Sequence, residues 1–312
     1  MATIQPIYMK EAVILCKLET AEGTDALPTS TNFLRVKDFS LTPLEGTKLE
    51  YEQLQAHFGN FDSEMATMAR KLEVSVYLAG SGTKGVVPNA DPLIQMAGAQ
   101  ATIVADTSVT YAPITRGIKS GSVYTNLGGL NYRFKGARGN AAITTDVEGY
   151  PMWKFSLLGL YMPLVDDDLP AAGGAPSARA VPVNALNSKL TLHGIELRAS
   201  AFGLDFGNQY KHTTLMGYQG VRVYDRKSTY NTTFEAVPAA TIDWEDRAIK
   251  GTKGALKLEH GVVDGNKVAI ESAGANVGAP TVSNVDGVVM HGFTGSLVPT
   301  SAGHDDWSVT FT

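Results

Sequence analysis

Apolar and polar residues alternate with a period of two over much of this chain, the pattern of β-strands that bury one face. Leu72-Glu73-Val74-Ser75-Val76-Tyr77-Leu78 alternates without a break and predicts such a strand. Leu34–Leu41 begins the same way, then slips by one residue at Asp38, so that Phe39 and Leu41 take over the apolar face. A β-bulge absorbs a slip of that kind. Further strands are expected over 108–112, 122–126, 131–135, 140–145 and 153–161, and later over 189–192, 196–204, 220–224, 230–235, 255–260, 267–272 and 290–298. Two short segments depart from the period. Asp91-Pro92 opens one, with Gly98 as its stop, and Asp243 precedes the other, Trp244–Ile249. Both read as short helices with an Asp N-cap, the first with Pro in its first turn.

These elements occur twice in the same order. Phe39-Ser40-Leu41 returns as Phe202-Gly203-Leu204, Arg70-Lys71 as Arg226-Lys227, Asp91 as Asp243, and the turn Glu148-Gly149 as Asp286-Gly287. The spacing between equivalents shrinks along the chain because the second copy has shorter loops. A repeat of this size is two copies of one domain, not a solenoid of small units. Each copy holds several short strands and one helix, so the fold expected is mainly β: two tandem sandwich or partly open barrel domains. The stretch DDDLPAAGGAPSARAVPVNALNS over 166–188 has no period and is rich in Ala, Pro, Gly and Ser, as a linker is. The division expected is a first domain over 1–168 with an N-terminal arm, a linker over 169–188 and a second domain over 189–312.

Two features do not fit an ordinary sandwich. Between the first two strands of copy one lies a polar stretch, Leu44–Gly59, longer than the roughly 2–5 residues of a hairpin loop. It alternates charged residues with Leu44, Leu49, Tyr51, Leu54 and Phe58. Apolar residues placed so regularly need a surface to pack on. Either the arm's own domain or a neighbouring subunit supplies it, and the repeat favours the neighbour. The counterpart in copy two, Phe206–Gly217, is shorter. The second feature is the strand 140–145 and its counterpart 275–283, which are small and polar with almost no large apolar residue on one face. That face is expected to look at water.

Composition sharpens the picture. Charged residues make up 18%, against about 25% in average soluble domains, and there are 32 glycines. This suits a turn-rich β protein that hides surface against partners. The net charge is −5 and no basic cluster is present, which argues against tight binding to a phosphate backbone. Cys16 is the one cysteine, so no intrachain disulfide is expected, in keeping with folding in a reducing compartment. The N-terminus makes a poor signal peptide and no apolar run is long enough to span a membrane.

Candidate chemistry is sparse. The six histidines are scattered without the i, i+4 pairing of a zinc helix. Gly80-Ser81-Gly82-Thr83-Lys84-Gly85 lacks the spacing of a phosphate-binding loop and reads as a turn. Gly292-Phe293-Thr294-Gly295 is no nucleophile elbow. Asp166-Asp167-Asp168 lacks the glycine and distal Glu of a calcium loop, and like Asp305-Asp306 reads as solvated. The expectation is a protein that is not an enzyme, with no cofactor, catalytic residue or metal ligand.

An ordered set of segments resembles the phage tail tube family, the major tail proteins of long-tailed bacteriophages. It comprises LETAEGTDALPT over 18–29, FSLTPLEG over 39–46, LAGSGT over 78–83, FKGARG over 134–139, FSLLGLY over 155–161 and FGNQ over 206–209. The resemblance spans nearly the whole chain and carries no catalytic residues. It implies a β-sandwich subunit whose rings stack into a hollow tube that carries DNA from capsid to host, in a virion tail assembled in the host bacterial cytoplasm. Such rings have six domain positions, so two copies per chain imply a trimeric ring with pseudo-six-fold symmetry. The long hairpin would dock on the adjacent ring through Leu44, Leu49, Tyr51, Leu54 and Phe58. Asn140, Thr144, Asn276 and Ser283 are the candidate lumen-facing residues. The partners implied are further copies of the chain and the tail terminator, tape measure and distal tail proteins, with DNA passing unbound. A tail terminator and a carbohydrate- or receptor-binding module are the alternatives. The repeat argues against the first, and the spread of Trp153, Trp244 and Trp307 against the second.

Overall fold

The computed structural model describes residues 6–171, 173 and 178–312, so part of the expected linker and the first five residues lie outside the described chain. The protein is mainly β, with 51% of it in strands and a single short helix in each half. Two antiparallel sheets enclose a core that runs from Ile14 to Phe311 without division between the halves.

The larger sheet is organised around one long strand, Leu130–Asp146. Sequence reading expects two strands here, split at the glycine-rich Gly136–Gly139. Instead the chain passes through a bulge between Lys135 and Arg138, with Gly136 in the left-handed region at φ 61°. Glycine enters that region without strain, so one residue is absorbed while the strand continues. One edge of the long strand pairs with Met152–Tyr161. The other edge is shared: Gly121–Leu127 takes its first part and Ala199–Asp205, from the second half, takes its last. Ala12–Leu18 adds to Gly121–Leu127, so the apolar stretch of the N-terminal arm is a strand of this sheet.

The repeat is visible in strand order. Asp38–Glu45, Ala69–Tyr77, Met152–Tyr161 and Leu130–Asp146 lie side by side in that order. Ala199–Asp205, Thr229–Glu235, Val288–Ser296 and Thr281–Val285 do the same. The registers agree as well. Phe39 faces Val74 and Val74 faces Phe155; Phe202 faces Thr232 and Thr232 faces Phe293. Phe39 thus matches Phe202 and Phe155 matches Phe293. The same register corrects one sequence landmark: Arg70-Lys71 superposes on Ser228-Thr229, two residues beyond Arg226-Lys227. A basic pair at a strand start is a local signal, whereas ladder pairing sets the true equivalence.

The second sheet runs Ile195–Leu197, Ser188–Leu192, Lys253–His260, Val268–Asn276, Ser308–Phe311, Ser108–Pro113, Ala99–Val104. The C-terminal strand Ser308–Phe311 sits between a strand of each half and joins them. Helix Trp244–Lys250 is capped as expected, with the Asp243 carboxylate accepting from the Asp246 amide at 2.9 Å and Gly251 left-handed at its end. Helix Asp91–Met96 is not capped by Asp91. Ala90 holds the N-cap position, and the Asp91 carboxylate instead accepts from Gln95 and from the Tyr111 hydroxyl at 2.8 Å. The three tryptophans are buried, and Trp307 stacks on Phe206 at 3.7 Å between ring centres.

Candidate assembly surfaces

The polar stretch after Asp38–Glu45 folds as a projecting arm. Lys48–Glu50 pairs with Ser63–Met65 in a small sheet of its own, and the Tyr51 amide donates to the Asp62 carbonyl at 2.8 Å. Leu44, Leu49, Tyr51, Leu54 and Phe58 are all exposed, the last two fully. The arm's base is closely packed. Gly46 lies so close to the returning chain that a Cβ would stand 1.9 Å from the Thr67 carbonyl oxygen. Beside it Arg70, 2% exposed, donates from Nε to the Pro43 carbonyl at 2.8 Å and from Nη1 to the Arg133 carbonyl at 2.5 Å. Its guanidinium lies 4.9 Å from the Tyr161 ring centre and 5.3 Å from that of Tyr132. Burial lowers its pKa from the usual guanidinium value.

The counterpart is a regular hairpin, Asn208–Leu215 with Tyr218–Arg226, turning at Met216-Gly217. Its returning strand extends well past the point where the polar stretch suggests an end. It does not project freely. The Tyr210 hydroxyl meets Ser156 at 2.8 Å, and Arg138 donates to the Val221 carbonyl at 2.7 Å and pairs with Glu22 at 2.9 Å. The Arg138 hydrogen bond is the main reason the Glu22 carboxyl titrates below its ordinary value. Gly207 repeats the role of Gly46, with a hypothetical Cβ 1.9 Å from the Lys227 carbonyl oxygen. Arg226 forms a two-pronged ion pair with Asp306 at 3.0 and 3.1 Å, joined by the Ser228 hydroxyl at 2.7 Å. Asp306 is therefore 3% exposed, not solvated as its sequence context suggests. Nothing local to Asp305-Asp306 announces a partner about eighty residues away.

The face of the larger sheet turned away from the core is mostly small and polar, although Met152, Leu158 and Met290 share it by register and Val221 of the second hairpin packs on Leu158. It carries Ser40, Ser75, Ser156, Asn140, Ala142, Thr144, Gly203, Asn231, Thr233, Thr294 and Ser283. Acids on it (Asp38, Glu73, Asp146, Asp205, Glu235) outnumber the bases Lys71, Arg138 and Lys154. Asn140, Thr144 and Ser283 share this face. Asn276 belongs to the other sheet, opposite Lys253, with its side-chain oxygen buried. The Asn140 amide donates to Asp205 at 2.7 Å across the join between the halves.

Two turns read separately from the sequence meet in space. Asn266 accepts from the Gly80 amide at 2.8 Å, and Lys84 pairs with Asp264 at 2.7 Å. Lys267 and Lys84 together hold the Asp264 carboxyl down to about 2. Among the described residues no cluster of His, Cys, Asp or Glu is arranged to hold a metal, and no helix is long and apolar enough to cross a membrane. Cys16 is buried and its thiol is pushed well above the usual range, chiefly by desolvation.

A mainly β chain with a repeated sheet, an exposed apolar arm and a mostly polar sheet face has the build of a self-assembling structural protein. The family model described as phage tail tube protein matches residues 10–296, nearly the whole chain, and the chain belongs to that family. No curated protein matches it. Membership gives it a structural role in a bacteriophage tail tube and a place in the virion tail.

Proposed function

We propose that three copies of this chain close into a ring with pseudo-six-fold symmetry and that rings stack into a conduit for DNA. The observation that carries this reading is the two-fold recurrence of one four-strand order within a single sheet, with the same polar face outward in both copies. Continued around a ring, that face lines a lumen. Its hydroxyls, amides and glycines offer no cationic track, and its excess of carboxylates repels phosphates, so DNA slides without binding. Asn140, Thr144 and Ser283 then face the lumen. The arm bearing Leu44, Leu49, Tyr51, Leu54 and Phe58 docks on the adjacent ring, which covers apolar surface that a free subunit leaves in water. The domain division at 169–188 belongs to this proposal, as do assembly in the host cytoplasm and contacts with the tail terminator, tape measure and distal tail proteins at the ends and bore of the tube. The burial of all three tryptophans weighs against the receptor-binding alternative.

The test is negative-stain electron microscopy of the purified chain over a concentration series. Hollow tubes with trimeric rings are expected, and deletion of Gln53–Ala56 is expected to leave soluble rings that no longer stack. Tubes unchanged by the deletion would remove the docking role of the arm.

A further inference from the structure

The short helices of the two halves are held in different ways. Asp91–Met96 buries Leu93, Ile94 and Met96 completely. Trp244–Lys250 buries Trp244 alone, with Ala248 partly buried and Ile249 84% exposed. The Trp244 ring sits among Phe234, Phe293 and His193, at 5.6, 5.5 and 5.9 Å between ring centres. A helix of seven residues does not persist in water without such tertiary support. Its other side-chain tie to the sheets is Arg247, whose Nη1 donates to His193 Nδ1 at 2.9 Å. Among the described residues Arg247 has no carboxylate partner, since Asp246 is taken by Lys250 at 2.8 Å.

His193 is itself fixed from several sides. It opens the two-residue turn His193-Gly194 between Ser188–Leu192 and Ile195–Leu197, in the left-handed region at φ 51°. Its backbone amide donates to the Ala255 carbonyl at 2.7 Å. Its ring lies so close to Gly254 that a Cβ there would stand 2.4 Å from the imidazole. Nε2 meets the Ala275 carbonyl at 2.9 Å. A carbonyl only accepts, so Nε2 carries the proton. A guanidinium only donates, so Nδ1 is bare. The two partners together demand the neutral ring in a single tautomer.

We propose that His193 is a proton-operated latch: its neutral ring holds helix Trp244–Lys250 against the second sheet, and protonation at Nδ1 releases the helix. A proton on Nδ1 removes the acceptor that Arg247 uses and sets an imidazolium beside a guanidinium. No acid offsets that repulsion. The helix presents Arg247, Lys253–His260 presents the Gly254 backbone, and Val268–Asn276 presents the Ala275 carbonyl. On the hairpin of His193 itself, Glu196 is engaged by Lys189 at 2.7 Å. Burial, with Arg247 adding repulsion, holds the His193 pKa below the ordinary 6.5. The docked helix therefore resists a proton that the released one accepts, so the latch is closed above that pH and opens as pH falls below it. Release melts the helix and uncovers Phe234 and Phe293, on which Trp244 rests. The helix of copy one is held by three buried apolar side chains, which do not titrate, so the switch belongs to copy two.

Hydrogen–deuterium exchange of the full chain, read by mass spectrometry at about pH 7.5 and about pH 5 and corrected for the intrinsic change in rate, tests the latch. Protection of the amides over 247–252 is expected to fall at least about tenfold on acidification, while that over 93–97 holds. His193→Asn places a residue that tolerates the left-handed turn and cannot charge, and its helix is expected to show equal protection at both pH values. Arg247→Gln removes the like charge, and its amide oxygen can accept from an imidazolium, so the acid loss is expected to shrink to less than about threefold. Arg247→Gln decides alone if His193→Asn does not fold. Equal protection at both pH values in the wild-type chain overturns the latch, as does an acid loss that the variants retain in full.

Discussion

Arg70 shows how much one buried side chain organises. It sits at the base of the projecting arm, satisfies carbonyls of Pro43 and Arg133, and lies against two tyrosine rings. Arg70→Ala is expected to destabilise the fold by about 2–4 kcal/mol in urea unfolding, since it strands two acceptors and opens a cavity. Arg70→Lys should recover little, because an ammonium cannot reproduce the planar fork. Histidines set the acid response. Burial lowers the pKa of His193, with Arg247 adding repulsion, and burial lowers that of His260. The unfolded chain takes up a proton near the ordinary value of 6.5 that the folded chain resists. Stability is therefore complete above that pH and declines as pH falls through it. The melting temperature is expected to be level from about pH 7 to 8 and to fall toward pH 5, and His193→Gln with His260→Gln to flatten that fall.

At the scale of elements, the two hairpins share a device that the sequence signals only as a recurring glycine. Gly46 and Gly207 each let the chain leave a sheet strand against a backbone carbonyl. Gly46→Ala is expected to lower the melting temperature and displace the arm, and Gly207→Ala to cost more, because Gly207 also has φ 67°. Limited proteolysis checks the difference: the first variant should be cut within the arm, and the second should loosen as a whole. Most strands were legible from alternation alone, as Ala69–Tyr77 and Ser108–Pro113 illustrate. The misread elements have a common cause. Gly136–Gly139 resembles a turn and is a bulge, and 208–215 resembles a loop and is a strand. Polar and glycine-rich composition marks solvent exposure, which edge strands and hairpin arms have as fully as loops do.

For the whole molecule, the seam between the halves decides stability. Ser308–Phe311 bridges a strand from each half, and the Arg226–Asp306 pair and the Lys84–Asp264 pair cross or flank that seam. Truncation after Asp305 removes the bridge, the buried carboxylate and Trp307 together. It is expected to abolish the cooperative thermal transition and to give a soluble yield far below that of the full chain. Asp306→Asn keeps the shape but removes the buried charge that faces partly exposed Arg226, and is expected to cost about 2–4 kcal/mol.

By itself the sequence determined the strand period, the two helices, the recurrence of one unit and the absence of a local catalytic or metal motif. Each of these is encoded within a few residues, or in the order of such segments. Only the tertiary structure decided which strands are neighbours, that the halves share both sheets, that Asp306 is buried, and that Asp38–Glu45 and Thr281–Val285 each keep an edge without a partner among the described residues. A period of two states which face of a strand is dry; it carries no information about which strand lies alongside. That choice is made by contacts between residues far apart in the chain, such as Ile143 with Leu204, and by the closure of one core around them.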